Sequence, residues 1–138
     1  VGHHSLDKEF FKKIIFHENI IHYGHLTQVE INILANKCHV NVLPSIQDGW
    51  GLVVSQSSAA GCPNIVSENV GALDFVKKYK TGFSVPIKNS NSILEKFELL
   101  CDDKSLWKEL SSNGIKHSGE STWEEYIKKL EKIILNII

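Results

Sequence analysis

Methionine and arginine are both missing from the 138 residues, proline occurs three times, and the three cysteines lie far apart with no C-x-x-C pair. Each shortage excludes something. Without arginine the chain has no planar five-donor fork, the usual bidentate clamp for phosphate or carboxylate. Any anion it holds must be met by backbone N–H groups or by lysine, which supplies all 15 basic residues. An odd, scattered set of thiols, Cys38, Cys62 and Cys101, makes no disulfide framework and reads as reduced cysteine in a cytoplasmic protein. No apolar run approaches the ~20 residues that a membrane span needs, and the first residues lack the charged-then-apolar pattern of a signal peptide. A chain that opens at Val1 with no methionine reads as a piece of something longer.

A formal net charge of -1 removes the clustered positive charge that nucleic acid would demand, so no nucleic-acid partner is expected. What remains is ordinary for a globular protein: 42% hydrophobic and 22% charged residues, enough for one domain with a core and no room for a second.

Apolar spacing organises the chain into alternating elements. Ser5 caps an amphipathic helix expected over 6–16. A short β-branched and aromatic run, Ile20-Ile21-His22-Tyr23, closed by Gly24, reads as a strand. Thr27 with Glu30 three residues on forms a capping box for a helix over about 28–36. Strand 40–43 follows, stopped by Pro44, then a helix over 52–60 ended by Gly61, strand 64–67, a short helix over 71–78, and a brief strand 82–86. Three helices close the chain, over about 91–101, 103–113 and from Thr122 onward, with a Gly- and Ser-bearing loop or hinge at 115–121. Strands separated by helices of about ten residues mean βαβ crossovers, so the expected class is α/β: a Rossmann-like, doubly wound parallel sheet flanked by helices. In such sheets ligands bind beyond the carboxyl ends of the strands.

The richest of those loops is Pro44-Ser45-Ile46-Gln47-Asp48-Gly49-Trp50-Gly51-Leu52, which runs from a strand end into a helix start. Glycine lets a backbone approach a ligand with no Cβ in the way. A helix N-terminus adds unpaired N–H groups and the positive end of its dipole, so together they suit a diphosphate without arginine. Asp48 is placed to accept from hydroxyls, and Gln56 lies one turn inside the helix on the Leu52 face. Alone, a Gly-Trp-Gly loop is a tight turn and a lone Asp a solvated turn residue; their joint occurrence in one strand–loop–helix favours a ligand site. His22, His25 and His39 show no ligand spacing, so no metal is expected.

The stretch from Ser45 through Asp48-Gly49-Trp50-Gly51-Leu52 and Gln56 to Ala59-Ala60-Gly61-Cys62-Pro63 resembles the donor-binding signature of the family 4, group 1 glycosyltransferases. The flanks agree: Tyr23-Gly24-His25-Leu26, Val70-Gly71-Ala72-Leu73-Asp74-Phe75-Val76, Lys80-Thr81-Gly82-Phe83 and Ser121-Thr122-Trp123 follow in the family's order along nearly the whole chain. The resemblance implies one half of a GT-B fold, with residues 1–138 a fragment of the nucleotide-sugar donor-binding domain. The N-terminal acceptor domain and the diphosphate-clamping Arg and Lys then lie upstream. It implies retaining transfer from a nucleoside-diphosphate sugar in bacterial polysaccharide or glycolipid synthesis. No cofactor is needed beyond that substrate, the isolated fragment should be inactive, and the full-length protein could attach peripherally to the inner face of a membrane.

Carried over by position, Asp48 stands where the family has a catalytic-site Glu facing the donor sugar. Ser45, Gly49, Trp50, Gly51 and Leu52 supply contacts to sugar and diphosphate, Gln56 stands where a second Glu meets the ribose, and His25 and Leu26 lie near the base. Asp48 and Gln56 both depart from Glu, which leaves a competing reading open: a non-catalytic nucleotide-sugar-binding or interaction module.

Overall fold

The computed structural model describes residues 17–121 and 123–137. The chain divides into two compact units, Val1–Leu34 and Ala35–Ile138. The helix expected over 6–16 lies outside the described residues.

In the first unit the capping box forms as its residue types require: Thr27 N–H donates to Glu30 Oε2 at 2.8 Å, and Glu30 N–H donates back to Thr27 Oγ1 at 3.4 Å. The bond from the Thr27 amide holds the Glu30 carboxyl below its usual range. Helix α1, Gln28–Ala35, follows directly. The strand expected at 20–23 is not found; that stretch is irregular and no strand of the described residues pairs with it. Its composition suits a strand, but a strand exists only through its ladder, and here Ile20, Ile21 and Tyr23 stay exposed.

The second unit is an α/β layer structure. Strands β1, Asn41–Leu43, β2, Asn64–Ser67, and β3, Gly82–Val85, form a parallel sheet in that order, with Asn41 opposite Asn64 and Asn64 opposite Gly82. Helices α2, Leu52–Ala59, and α3, Leu73–Tyr79, are the two crossovers. Helices α4, Ser90–Asp102, and α5, Lys104–His117, come after the last strand. All four residues of β2 are buried, as the middle strand of a sheet covered on both faces must be.

Successive side chains of β2 divide the core. Val66 packs with Val54, Val70, Leu73, Phe75 and Val76 of the α2 and α3 side, while Ile65 packs with Val85, Leu100 and Leu110 of the α4 and α5 side. The doubly wound expectation is met.

Two local devices fix α2. Gly61, at φ +74°, ends it in a Schellman turn, with Gly61 N–H bonded to Ser58 O at 3.0 Å and Cys62 N–H to Ser57 O at 2.8 Å. Beneath the helix, the fully buried Asn64 side chain accepts from Asn41 Nδ2 at 2.8 Å and Ser57 Oγ at 2.6 Å, and donates to Ser58 Oγ at 2.9 Å. A buried amide left unpaired would cost ~1–3 kcal/mol, so this knot ties α2 to β1 and β2 in one register. Next to it, burial first and neighbouring Cys38 second push the Cys62 thiol up to about 12.

The expected loop at 115–121 is instead helical: α5 continues through Gly114 to His117, and a 3₁₀ turn, Ser118–Ser121, follows. Gly114 lies against the backbone of Ser58, so this glycine serves close helix packing. The turn is held by Glu120, which accepts from Tyr79 Oη and meets His117 Nδ1 at 2.7 Å, while the Tyr79 and His117 rings stack at 4.4 Å. Those bonds, Tyr79's first, hold the Glu120 carboxyl below its usual range. Helix α6, Trp123–Leu135, ends the chain with Tyr126, Ile127, Leu130, Ile133 and Ile134 exposed. Among the described residues no helix is long and apolar enough to cross a membrane.

Candidate functional site

The loop between β1 and α2 leaves the carboxyl end of a sheet strand and enters a helix, the position where open α/β sheets take ligands. Its shape comes from a second loop, residues 67–72, that follows the neighbouring strand. Asp48 pairs with Val70 in an isolated parallel bridge, and Asp48 N–H donates to Asn69 O at 3.2 Å. Gly71 N–H donates to Asp48 O at 3.2 Å, and Ala72 N–H to Trp50 O at 2.8 Å. Side chains add to this strap: Asn69 Nδ2 donates to Ile46 O at 3.0 Å, and the buried Ser67 hydroxyl donates to Ser45 O.

Those bonds decide where the loop's amides point. The peptides of the described residues are all trans, and in a planar trans peptide C=O and N–H face opposite ways. With the carbonyls of Asp48 and Trp50 turned toward residues 71 and 72, the N–H groups of Gly49 and Gly51 turn away from that brace. Gly51 sits at φ +78°, a left-handed conformation that side chains resist, and an added Cβ would lie 2.7 Å from Leu43 and 2.9 Å from Val70. Gly49 faces open space, with nothing within 4 Å of its missing Cβ. Helix α2 starts at once, and its N-cap residue, Gly51, has no side chain to cap it. Amides turned from the brace at Gly49 and at the buried Gly51, next to a helix start, put N–H donors on one side of the loop, an arrangement chemically suited to an anion.

The other candidates of the second unit lie along the same loop and helix. Asp48 is half-buried, and Ser45 is half-buried at the start of the loop. Trp50 keeps 42% of its surface exposed and donates from Nε1 to Ser55 Oγ at 3.2 Å, which lays the indole back along α2. Leu52 is 63% exposed, and Gln56 lies half-buried one turn into the helix. The loop is therefore open at Gly49, Trp50 and Leu52. Seven of the nine predicted residues thus belong to one strand–loop–helix in the second unit. His25, exposed, and Leu26, half-buried, belong to the first unit, just ahead of α1. An apolar hollow of about 410 Å³, walled by Val40, Phe97, Leu100, Cys101 and Trp107, contains none of the predicted residues.

The sequence model of the group 1 glycosyl transferases matches residues 4–117, more than three-quarters of the chain. The chain belongs to this family. Among curated relatives, the glycosyltransferase CapM of capsular polysaccharide biosynthesis from Staphylococcus aureus is 30% identical over 126 residues, covering 88% of this chain and 33% of CapM. Two solved glycosyltransferase structures share the fold. Sucrose-phosphate synthase from Thermosynechococcus elongatus superposes with a TM-score of 0.77 at 22% identity, covering 94% of this chain and 33% of that one. The C-terminal domain of LpcC, a group 1 family protein from Francisella tularensis, superposes with a TM-score of 0.71 at 23% identity, covering 83% of this chain and 60% of that one. The chain spans from 10% to 33% of the length of curated relatives such as maize sucrose-phosphate synthase and CapM. The glycosyltransferase fold and family are thus shared along the chain, from the first unit through α5.

Sequence reasoning missed the brace. Ser67 and Asn69 shape the loop through its carbonyls, and no pattern in 45–52 announces them. The signal available was positional: Ser67 ends the strand adjacent to the one that feeds the loop.

Proposed function

We propose that this chain is the donor-binding part of a glycosyltransferase that moves a sugar from a nucleoside-diphosphate sugar to an acceptor with retention, in bacterial polysaccharide or glycolipid assembly. The observation that carries the reading is the braced Gly49–Gly51 turn, whose amides turn away from the 67–72 brace where helix α2 starts behind a residue with no side chain to cap it. A departing nucleoside diphosphate gains negative charge as the glycosidic bond breaks. Fixed N–H donors and the helix dipole, equivalent to roughly half a positive charge, are what this chain, with no arginine of its own, brings to stabilising that charge.

In this reading Ser45, Gly49, Trp50, Gly51 and Leu52 line the sugar and the diphosphate, and Asp48 accepts hydrogen bonds from the sugar hydroxyls. Gln56 accepts from the ribose as an amide, a weaker acceptor than a carboxylate. His25 and Leu26 are assigned to the base. The similarity to CapM, a glycosyltransferase of capsular polysaccharide biosynthesis, supports the class of pathway.

Calorimetric titration of the chain with UDP, GDP, UDP-glucose and GDP-mannose tests this. The expected result is weak binding, on the order of 0.1–1 mM, with a preference for the sugar-bearing form that Asp48→Asn abolishes. No heat and no thermal shift with any of the four would overturn it. Binding by the chain together with no transfer by the protein that contains it would identify the non-catalytic module that Gln56 allows.

A further inference from the structure

We infer that Asn69 and Ser67 are positioning residues for donor binding: from the neighbouring loop they hold the carbonyls of Ile46 and Ser45 inward and so keep the amides of residues 49–51 turned to the ligand. The inference rests on the donor-binding reading and goes beyond it, because neither side chain belongs to the loop that would touch the donor.

Three observations carry it. First, the contacts form one continuous strap, since Ser67 Oγ reaches Leu43 O at 3.4 Å and also bonds Ser45 O, Asn69 Nδ2 reaches Ile46 O at 3.0 Å, and backbone bonds continue through Asp48 to Trp50. Every carbonyl so occupied is one that cannot swing outward, where it would repel a diphosphate. Second, the Gly49 carbonyl lies directly over Gly71, where any Cβ would come within 2.0 Å of it. The brace and the loop are therefore in backbone contact, and a displaced brace moves the loop. Third, the residue that starts helix α2, Gly51, has no side chain to anchor the loop, and the Trp50 Nε1–Ser55 Oγ bond from that helix holds an indole and not a carbonyl. The loop's conformation is set from the side, by residues 67–72.

Asn69 separates positioning from folding. It is exposed and contributes no core contact, so its replacement leaves the buried faces of the sheet intact. Asn69→Asp is nearly isosteric but removes the N–H donor and sets a carboxylate against the Ile46 carbonyl.

The experiment measures three quantities on the chain and on Asn69→Asp: affinity for UDP-glucose and GDP-mannose, melting temperature, and acrylamide quenching of the Trp50 indole. The last is isolated by subtracting the spectra of matched Trp50→Phe proteins. The expected result is affinity lower by about threefold to tenfold, increased quenching of Trp50, and a melting temperature within ~2 °C of the parent. Unchanged affinity would overturn the inference, whether or not quenching changed, and so would an affinity loss accompanied by unfolding. Failure of the parent chain to bind either sugar nucleotide is a different outcome: it strikes the donor-binding reading. Quenching then still reports whether Asn69 shapes the loop.

Discussion

The second unit has two helix starts that meet the same physical problem in opposite ways. At α5 two of the N–H groups that a helix start leaves unpaired are served from within: the Asp103 carboxylate accepts from Ser105 N–H at 3.0 Å and from Leu106 N–H at 2.9 Å. At α2 the preceding residue is Gly51, which has no side chain to offer, and the loop before it turns its own amides away from the neighbouring 67–72 loop. One end is closed by the chain and the other is left open. An open N-terminus costs stability in the free protein, and that cost makes sense where a ligand supplies the missing acceptor.

The glycines sharpen the same contrast. Gly51 and Gly71 build the open site, one by a left-handed backbone and the other by allowing a carbonyl to lie on its Cα. Gly114, in the closed helix, serves packing alone, since a Cβ there would meet Ser58 O at 2.9 Å. The largest expected effect is at Gly71→Ala, where the new carbon would overlap the Gly49 carbonyl at 2.0 Å and force the two loops apart. A loss of about 3 kcal/mol in stability is expected, with donor affinity reduced at least tenfold. Denaturant unfolding and calorimetry read the two numbers. A well-bound donor in this variant would show that the brace does not shape the site.

Gly114→Ala comes next. The helix gains up to ~1 kcal/mol of propensity, but the partner atom is backbone and cannot rotate away, so a net loss of about 1 kcal/mol is expected with donor affinity untouched. If alanine stabilised the protein, close approach to Ser58 would not be the reason for glycine at this position. If it weakened donor binding, the separation between packing glycines and site glycines would fail.

What could be read from residues alone follows the same division. Elements fixed by local chemistry were legible: the Thr27 and Glu30 capping box, the Gly61 stop, and strand 64–67, whose ends coincide with β2. So was the loop from Ser45 to Leu52, because glycines around one aromatic between a strand and a helix carry a recognisable composition. Features that depend on a distant partner were not legible. Residues 20–23 have strand composition but no ladder, and Gly114 in a Ser-rich stretch gives no hint of the Ser58 backbone that it packs against. Asn69 was silent for the same reason: its function lies in a carbonyl 23 positions earlier in the chain.

The smallest effect tests the closed end. Asp103→Asn keeps an acceptor for the amides of Ser105 and Leu106 but removes the charge that favours a helix N-terminus. The bonds from Leu106 N–H and then Ser105 hold the Asp103 carboxyl below its usual range, so its contribution is complete above the unfolded-state value and disappears as pH falls through the folded one. The melting temperature of the parent should therefore exceed that of Asp103→Asn by a degree or two at pH 7, and the gap should close below about pH 4. Donor affinity should be the same in both proteins at pH 7, because this helix start already has its acceptor. A pH-independent gap would show that the Asp103 charge contributes nothing to the cap, and a loss of donor binding would show that the open and closed helix starts are coupled.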